Sequence, residues 1–191
     1  MMGLEVLLLV VGVVALGTLY VVVPVSLGVY GRYRGTRLVT CPENESRAAV
    51  EVDARHAALT AVGGAPELRL TQCSRWPERH GCGRECLRQI EQAPKECLVR
   101  TVLAKFYAGK QCVLCTASLD GIESWGHHHA LMAQGGQTME WSEIAGEHLL
   151  DVLQSHWPVC WNCHVAETFR RQHAELVVDR PAPGRGGRKS I

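Results

Sequence analysis

An excess of charge of either sign is missing from this chain: 20 Lys and Arg stand against 19 Asp and Glu, for a formal net charge of +1. No global field therefore draws nucleic acid or an acidic ligand towards it, and no nucleic-acid partner is expected. The sequence contains no Walker loop, no dinucleotide fingerprint and no Ser/His/Asp arrangement. The His-x-x-x-His spacing of zinc hydrolases, with its embedded glutamate, is absent too. No motif argues for an enzyme. Phenylalanine is scarce, at two residues against five tryptophans. What the chain does hold is nine cysteines and nine histidines in 191 residues. A soluble region of roughly 150 residues buries an ordinary core without cross-links. The cysteines therefore need another explanation, and metal binding leads.

Charge is absent altogether between Val6 and Tyr30, a stretch dominated by Val and Leu. As a helix it reaches about 37 Å, enough to cross a hydrocarbon core of about 30 Å with tilt. Pro24 is expected to kink it near the far end. A signal peptide needs a basic leader and a small-residue cleavage site. Met-Met-Gly-Leu-Glu precedes the run, and Gly31-Arg32-Tyr33-Arg34-Gly35-Thr36-Arg37 follows it, so neither is present. An uncleaved anchor is expected. Arg32, Arg34 and Arg37 flank only its C-terminal end. The positive-inside rule then predicts a single-pass membrane protein with its N-terminus outside and its soluble domain in the cytoplasm. Thiols stay reduced there.

The soluble chain alternates short strand and helix patterns, which predicts an α+β fold. Leu38–Thr40 and Ala48–Val52 read as strands around the turn-rich segment 41–46, and Asp53 as the N-cap of a helix over Ala54–Val62. Leu68–Thr71 reads as a strand delivering Cys73. Gly83–Ala93 and Glu96–Tyr107 read as helices. Met139–Trp141 reads as a strand, and Ser142 as the cap of a helix over Glu143–Gln154. Trp157-Pro158 is expected to break that helix, and a further helix runs from Asn162 or Cys163 to about Gln172. From Arg180 the composition is that of a disordered basic tail. The organisation expected is an anchor and basic flank (1–37), a first Cys-rich subdomain (38–109), a second (110–179) and the tail (180–191). Ser74, Trp76, Pro77 and Cys82 recur 81 positions later as Ser155, Trp157, Pro158 and Cys163. That echo raises the expectation of two similar halves, though four identities make a weak repeat.

Two Cys-x-x-Cys pairs, Cys112/Cys115 and Cys160/Cys163, carry the strongest chemistry. Each offers two thiolates at one corner of a tetrahedron, which is what zinc prefers. The second pair opens a helix, whose positive end favours thiolates. A knuckle, intervening hairpin-like structure and then Cys-x-x-Cys at a helix start resembles treble-clef and zinc-ribbon modules over residues 110–173. The spacer of 44 residues is long for them. The resemblance implies Cys112, Cys115, Cys160 and Cys163 as ligands of one structural Zn2+. Together with the apolar run, the fold expected is an N-terminal transmembrane helix plus small Cys-rich zinc-binding domains, in two treble-clef-like halves if the echo is real.

A second, more tentative set is Cys41, Cys73, Cys82 and Cys86, with only one pair close in sequence. It suits zinc or an iron–sulfur cluster. Cys97 is left over, as a core residue or a substitute for Cys41. Cys160-Trp161-Asn162-Cys163-His164 also spells the attachment motif of c-type haem, with His164 as proximal ligand and His127, His128, His129, Met132 or Met139 as candidates for the sixth. That reading leaves Cys112 and Cys115 unexplained, and haem attachment happens on the other side of a bacterial membrane. The His127–His129 run is otherwise an exposed polar loop or a transient metal handle. The five tryptophans are expected around the knuckles. Thiol–disulfide exchange or metal trafficking is a further alternative, though the βαβ pattern of thioredoxins is missing. The sequence thus points to a membrane-anchored zinc protein acting as an interaction or tethering module. An electron-transfer protein is the rival.

Overall fold

The apolar run folds as one helical rod, Gly3–Tyr33, with a mean hydropathy of 2.9 in its most apolar window. By length and composition it is able to span a membrane, a property it shares with signal sequences. The rod is built from α1 (Met2–Gly17), a π-helical turn (Thr18–Val22) and α2 (Val23–Tyr33). Pro24 explains the wide turn. A proline has no N–H to donate and crowds the carbonyl four residues back, and widening the helix just before it relieves both problems. The Val23 N–H accordingly bonds to Thr18 O, five residues back.

In this computed structural model residues 2–76, 78, 81–120 and 129–176 are described. Pro77, Trp125, His127, His128 and the basic tail lie outside the described residues.

A buried arginine ties the rod to the rest of the fold. Arg37 is 0% exposed, and its guanidinium donates to the carbonyls of Arg32, Tyr33 and Gly35. These are orphan acceptors at the C-terminal end of α2, where a cation is also favoured by the helix dipole. Burial pulls the Arg37 pKa below its ordinary value. Of the three basic residues expected to flank the span, this one is structural.

The first sheet holds β1 (Arg37–Thr40), β2 (Arg47–Val52) and β3 (Leu70–Cys73) in the order β1-β2-β3, all antiparallel. β2 buries every second residue, Ala48, Val50 and Val52, as a half-covered strand should. α3 (Ala54–Thr60) starts where expected, with the Asp53 side chain accepting from the His56 N–H at 2.9 Å. Its buried face is Ala54, Ala57 and Ala58, small enough to let it lie against α2. α4 (Leu87–Gln92) and α5 (Val99–Tyr107) follow. α4 begins four residues later than the apolar pattern suggests. Arg84 has φ +55° and breaks any helix through the loop before Cys86.

The second sheet holds β4 (Ala130–Met132), β5 (Thr138–Glu140) and β6 (Trp157–Val159) in the order β5-β4-β6. Between β5 and β6 lie two short 3-10 turns and α6 (Leu149–Ser155). Ser142 is therefore not a helix cap. Its place is in the first of those turns, which Glu140 and Glu143 close as a capping box. α7 (Trp161–Gln172) ends the layer.

The expectation of two similar halves is not met. In the first sheet the closing strand β3 pairs with the second strand of its hairpin; in the second, β6 pairs with the first. Ser74 and Trp76 follow a strand, whereas Ser155 ends α6 and Trp157 begins β6. The 81-residue echo therefore joins positions of different structure.

Two apolar clusters form the interior. One gathers Tyr33, Val39, Val50, Leu70 and Ile90; the other gathers Leu103, Tyr107, Leu131, Leu149 and Val159. They meet along a tight seam. Leu38 N–H bonds to Cys97 O at 2.8 Å and Val99 N–H to Thr36 O at 3.1 Å. Gly146 packs so close to Ala49 that a Cβ there would lie 2.5 Å from the alanine methyl.

Candidate metal centre

Just past α5 the chain makes a narrow loop that holds the first thiol pair. Gly109 turns it with φ +68°, and its N–H bonds to Asp120 Oδ1 at 2.7 Å. Inside the loop Cys112 N–H bonds to Ala117 O at 2.9 Å, and Thr116 N–H to Cys112 O at 2.8 Å. These bonds force the residue after Cys115 into a left-handed conformation: Thr116 has φ +61°, a strained choice for a β-branched side chain. The knuckle is then fastened to the second sheet, since the Val113 N–H donates to Pro158 O at 3.1 Å.

Pro158 sits in β6, at the edge of the sheet, where its missing N–H costs no ladder bond. Trp157-Pro158 does end the preceding helix, as expected, but it also forms a strand that the sequence pattern did not reveal. That strand carries the chain directly into Cys160. Cys160 is the extended N-cap of α7 and Cys163 lies in its first turn.

The Sγ atoms of Cys112, Cys115, Cys160 and Cys163 all lie within 4.8 Å of one another, and Cys115 Sγ is 3.6 Å from Cys160 Sγ. Zinc–sulfur bonds of about 2.3 Å set tetrahedral sulfurs about 3.8 Å apart, so the donor set fits a single thiophilic ion. Among the described residues no other group of three or more His, Cys, Asp or Glu ligand atoms meets so closely. Four cysteines close together are able to hold a metal ion. Cys112 is buried and Cys115 exposed, so the site opens on one side.

The electrostatics are uneven. Burial pushes the Cys112 thiol up, but backbone N–H groups of Cys160, Leu114 and Cys115 and the neighbouring Cys115 thiol outweigh it, and the pKa falls to about 7. Cys160 and Cys163 are raised, first by burial and, for Cys163, also by competition with the other three thiols for the same negative charge. One corner of the site is thus prepared as a thiolate near neutral pH.

The other singled-out residues fall elsewhere. Cys41 opens the β1–β2 turn, Cys73 ends β3, Cys82 lies in the loop before α4 and Cys86 is the α4 N-cap. All four are free thiols lining one cavity. Cys97 is not among the cavity-lining residues; its Sγ lies 3.3 Å from Ala93 O and beside Arg37. His164 is 7% exposed, with Nε2 at 4.0 Å from Glu140 Oε1 and its ring 5.4 Å from that of Trp161. His129 is tucked against Tyr107 with Nε2 at 3.1 Å from Leu119 O. Met132 and Met139 pack into the second cluster. Trp76 packs on the first cluster and Trp141 on the second, while Trp157 is 45% exposed.

Two residues of the site were missed from sequence, Thr116 and Pro158. The first had no signal, because only one of the two Cys-x-x-Cys pairs is followed by a left-handed residue, His164 after Cys163 being helical. The second had none either, because its role is a carbonyl contact to a distant loop. Comparison with family models, curated proteins and solved structures finds no match to this chain.

Proposed function

We propose that this chain is a membrane-anchored zinc protein whose Cys112, Cys115, Cys160 and Cys163 hold one structural Zn2+ in a treble-clef-like frame. The observation that carries this is the convergence of four sulfurs from two separate knuckles to within 4.8 Å. Knuckle, hairpin β4–β5 and a helix opening on the second thiol pair follow the order of treble-clef modules, with α6 and β6 inserted before the last helix. Four thiolates leave no open coordination position, so the ion braces the fold and does not act on a substrate.

The function then lies in tethering and partner binding. Val113 and Leu114 on the knuckle and Val165 and Phe169 on α7 are large apolar side chains between 43% and 48% exposed, an arrangement suited to a protein partner. The apolar rod anchors the module, with the N-terminus outside and the thiols on the reducing cytoplasmic side. Arg32 and Arg34 support that orientation.

The haem alternative asks His164 to face an iron, yet that ring is buried with Nε2 towards Glu140. It also leaves the close approach of Cys115 to Cys160 without a role. Metal analysis of the full chain purified in detergent tests the proposal. One zinc is expected at this quartet, lost in the Cys112→Ser, Cys115→Ser double variant; a Soret band, or zinc content unchanged in that variant, contradicts it. A C-terminal reporter active only when exported would overturn the orientation.

A further inference from the structure

The second quartet differs from the first in a way that bears on what it would hold. Cys41, Cys73, Cys82 and Cys86 come from a hairpin turn, a strand end, a loop and a helix cap, and they face one cavity of about 210 Å³. They sense one another electrostatically. Burial raises the Cys86 thiol to about 11, and the nearby Cys73, Cys82 and Cys41 add to the rise. Yet no three of these sulfurs approach within the 4.8 Å that the first quartet achieves.

A single ion draws its thiolates to about 3.8 Å from one another, and the first site shows that this chain builds such a set when it needs one. A cavity of about 210 Å³ is far larger than one ion requires, and below the range of about 300–1,000 Å³ usual for organic ligands. Its walls include the apolar Val39, Val50, Leu70 and Trp76, and its charged lining is balanced, Arg75 and Arg84 standing with Glu43 and Glu85. Cys82-Gly83-Arg84-Glu85-Cys86 does not coil into the helix, because Arg84 is left-handed. The two thiols are therefore not fixed at a one-turn helical spacing.

We propose that this cavity is an iron–sulfur cluster site, with Cys41, Cys73, Cys82 and Cys86 as its four thiolate ligands. Iron–sulfur clusters are held by four cysteine thiolates in a largely apolar setting, and this cavity supplies the four cysteines and the apolar walls. The two quartets then divide the chemistry: one corner-sharing site for a single ion, one perimeter for a cluster. Cys97, turned towards Ala93 O, takes no part.

The test uses the full chain in detergent, purified without oxygen and then supplied with ferric iron, sulfide and a thiol reductant, so that the iron(III) of a cluster and any electrons it takes up are both provided. Expected are iron and acid-labile sulfide in equal amounts with broad visible charge-transfer absorption. Both are to be lost in Cys82→Ser, Cys86→Ser and kept in Cys97→Ser. Zinc content reports separately on the first quartet, so retention of zinc in the double variant shows that the chain still folds. Zinc at two per chain falling to one in that variant would overturn the cluster, as would a colourless, iron-free protein after reconstitution. Failure of the first quartet to bind zinc would overturn the proposed function and leave this result readable on its own.

Discussion

The two halves of the chain after the apolar rod carry four cavity- or site-facing cysteines each, and they treat them in opposite ways. In the half around β4–β6 the thiols arrive as two spaced pairs, and backbone hydrogen bonds lock the elements that carry them. In the half around β1–β3 they arrive one by one from four kinds of element and encircle a space. The difference teaches that close pairing in sequence fixes local sulfur geometry, whereas scattered cysteines define only a perimeter. It also suggests where each half gets its stability. The second half has three strands of three residues each, packed with Leu119, Leu131, Leu149 and Val159 on the cluster that also takes in Cys112, Cys160 and Cys163. The first half has the end of the apolar rod, α3 and the Arg37 cap packed on its sheet.

The largest effect expected from breaking this contrast is Cys112→Ser. A structural zinc site is worth about 10–16 kcal/mol in isolated fingers. Loss of several kcal/mol is expected here, confined to the second half. Hydrogen exchange read by segment should rise over β4–β6 and α7 while β1–β3 stays protected; a uniform rise would break the comparison. Arg37→Met should do the reverse. It leaves the buried Tyr33 carbonyl and the partly buried carbonyls of Arg32 and Gly35 without this donor, at a cost of about 3 kcal/mol. Chemical denaturation of the metal-loaded chain should report it, with zinc content unchanged.

How far the sequence announced this arrangement follows from the same contrast. The first quartet was legible because Cys-x-x-Cys is a local signal, and its two copies imply one site. The apolar rod was legible from the 25 uncharged residues between Val6 and Tyr30, and α3 from Asp53 and its alanines. β6 was not, because Trp157-Pro158 reads as a helix breaker and its strand pairing is decided by the distant Leu131. The delayed start of α4 depends on one left-handed arginine that no periodicity marks. Arg37 read only as a basic flank of the apolar run, because nothing local says that helix carbonyls will surround it. The 81-residue echo misled because similar residues entered different strand topologies.

Smaller effects sharpen the picture. Gly146→Ala places a methyl against Ala49 at the seam and should cost about 2 kcal/mol through overpacking, lowering the cooperativity between halves in calorimetry. Thr116→Gly relieves a left-handed β-branched residue and should stabilise the knuckle by about 1 kcal/mol, seen as a higher melting temperature with zinc still bound. Proton release on metal binding is the subtlest readout. Cys160 and Cys163 are raised and so protonated at pH 7, while Cys112 at about 7 is partly ionised. Zinc titrations in buffers of different ionisation enthalpy should show at least two protons released per ion, and binding that weakens as pH falls.

The central claim is one ion held by sulfur alone at Cys112, Cys115, Cys160 and Cys163. X-ray absorption at the zinc edge of the purified full chain tests it most directly. The account predicts a first shell of four sulfurs at about 2.3 Å. A shell containing nitrogen or oxygen, or no zinc in the protein, would contradict it.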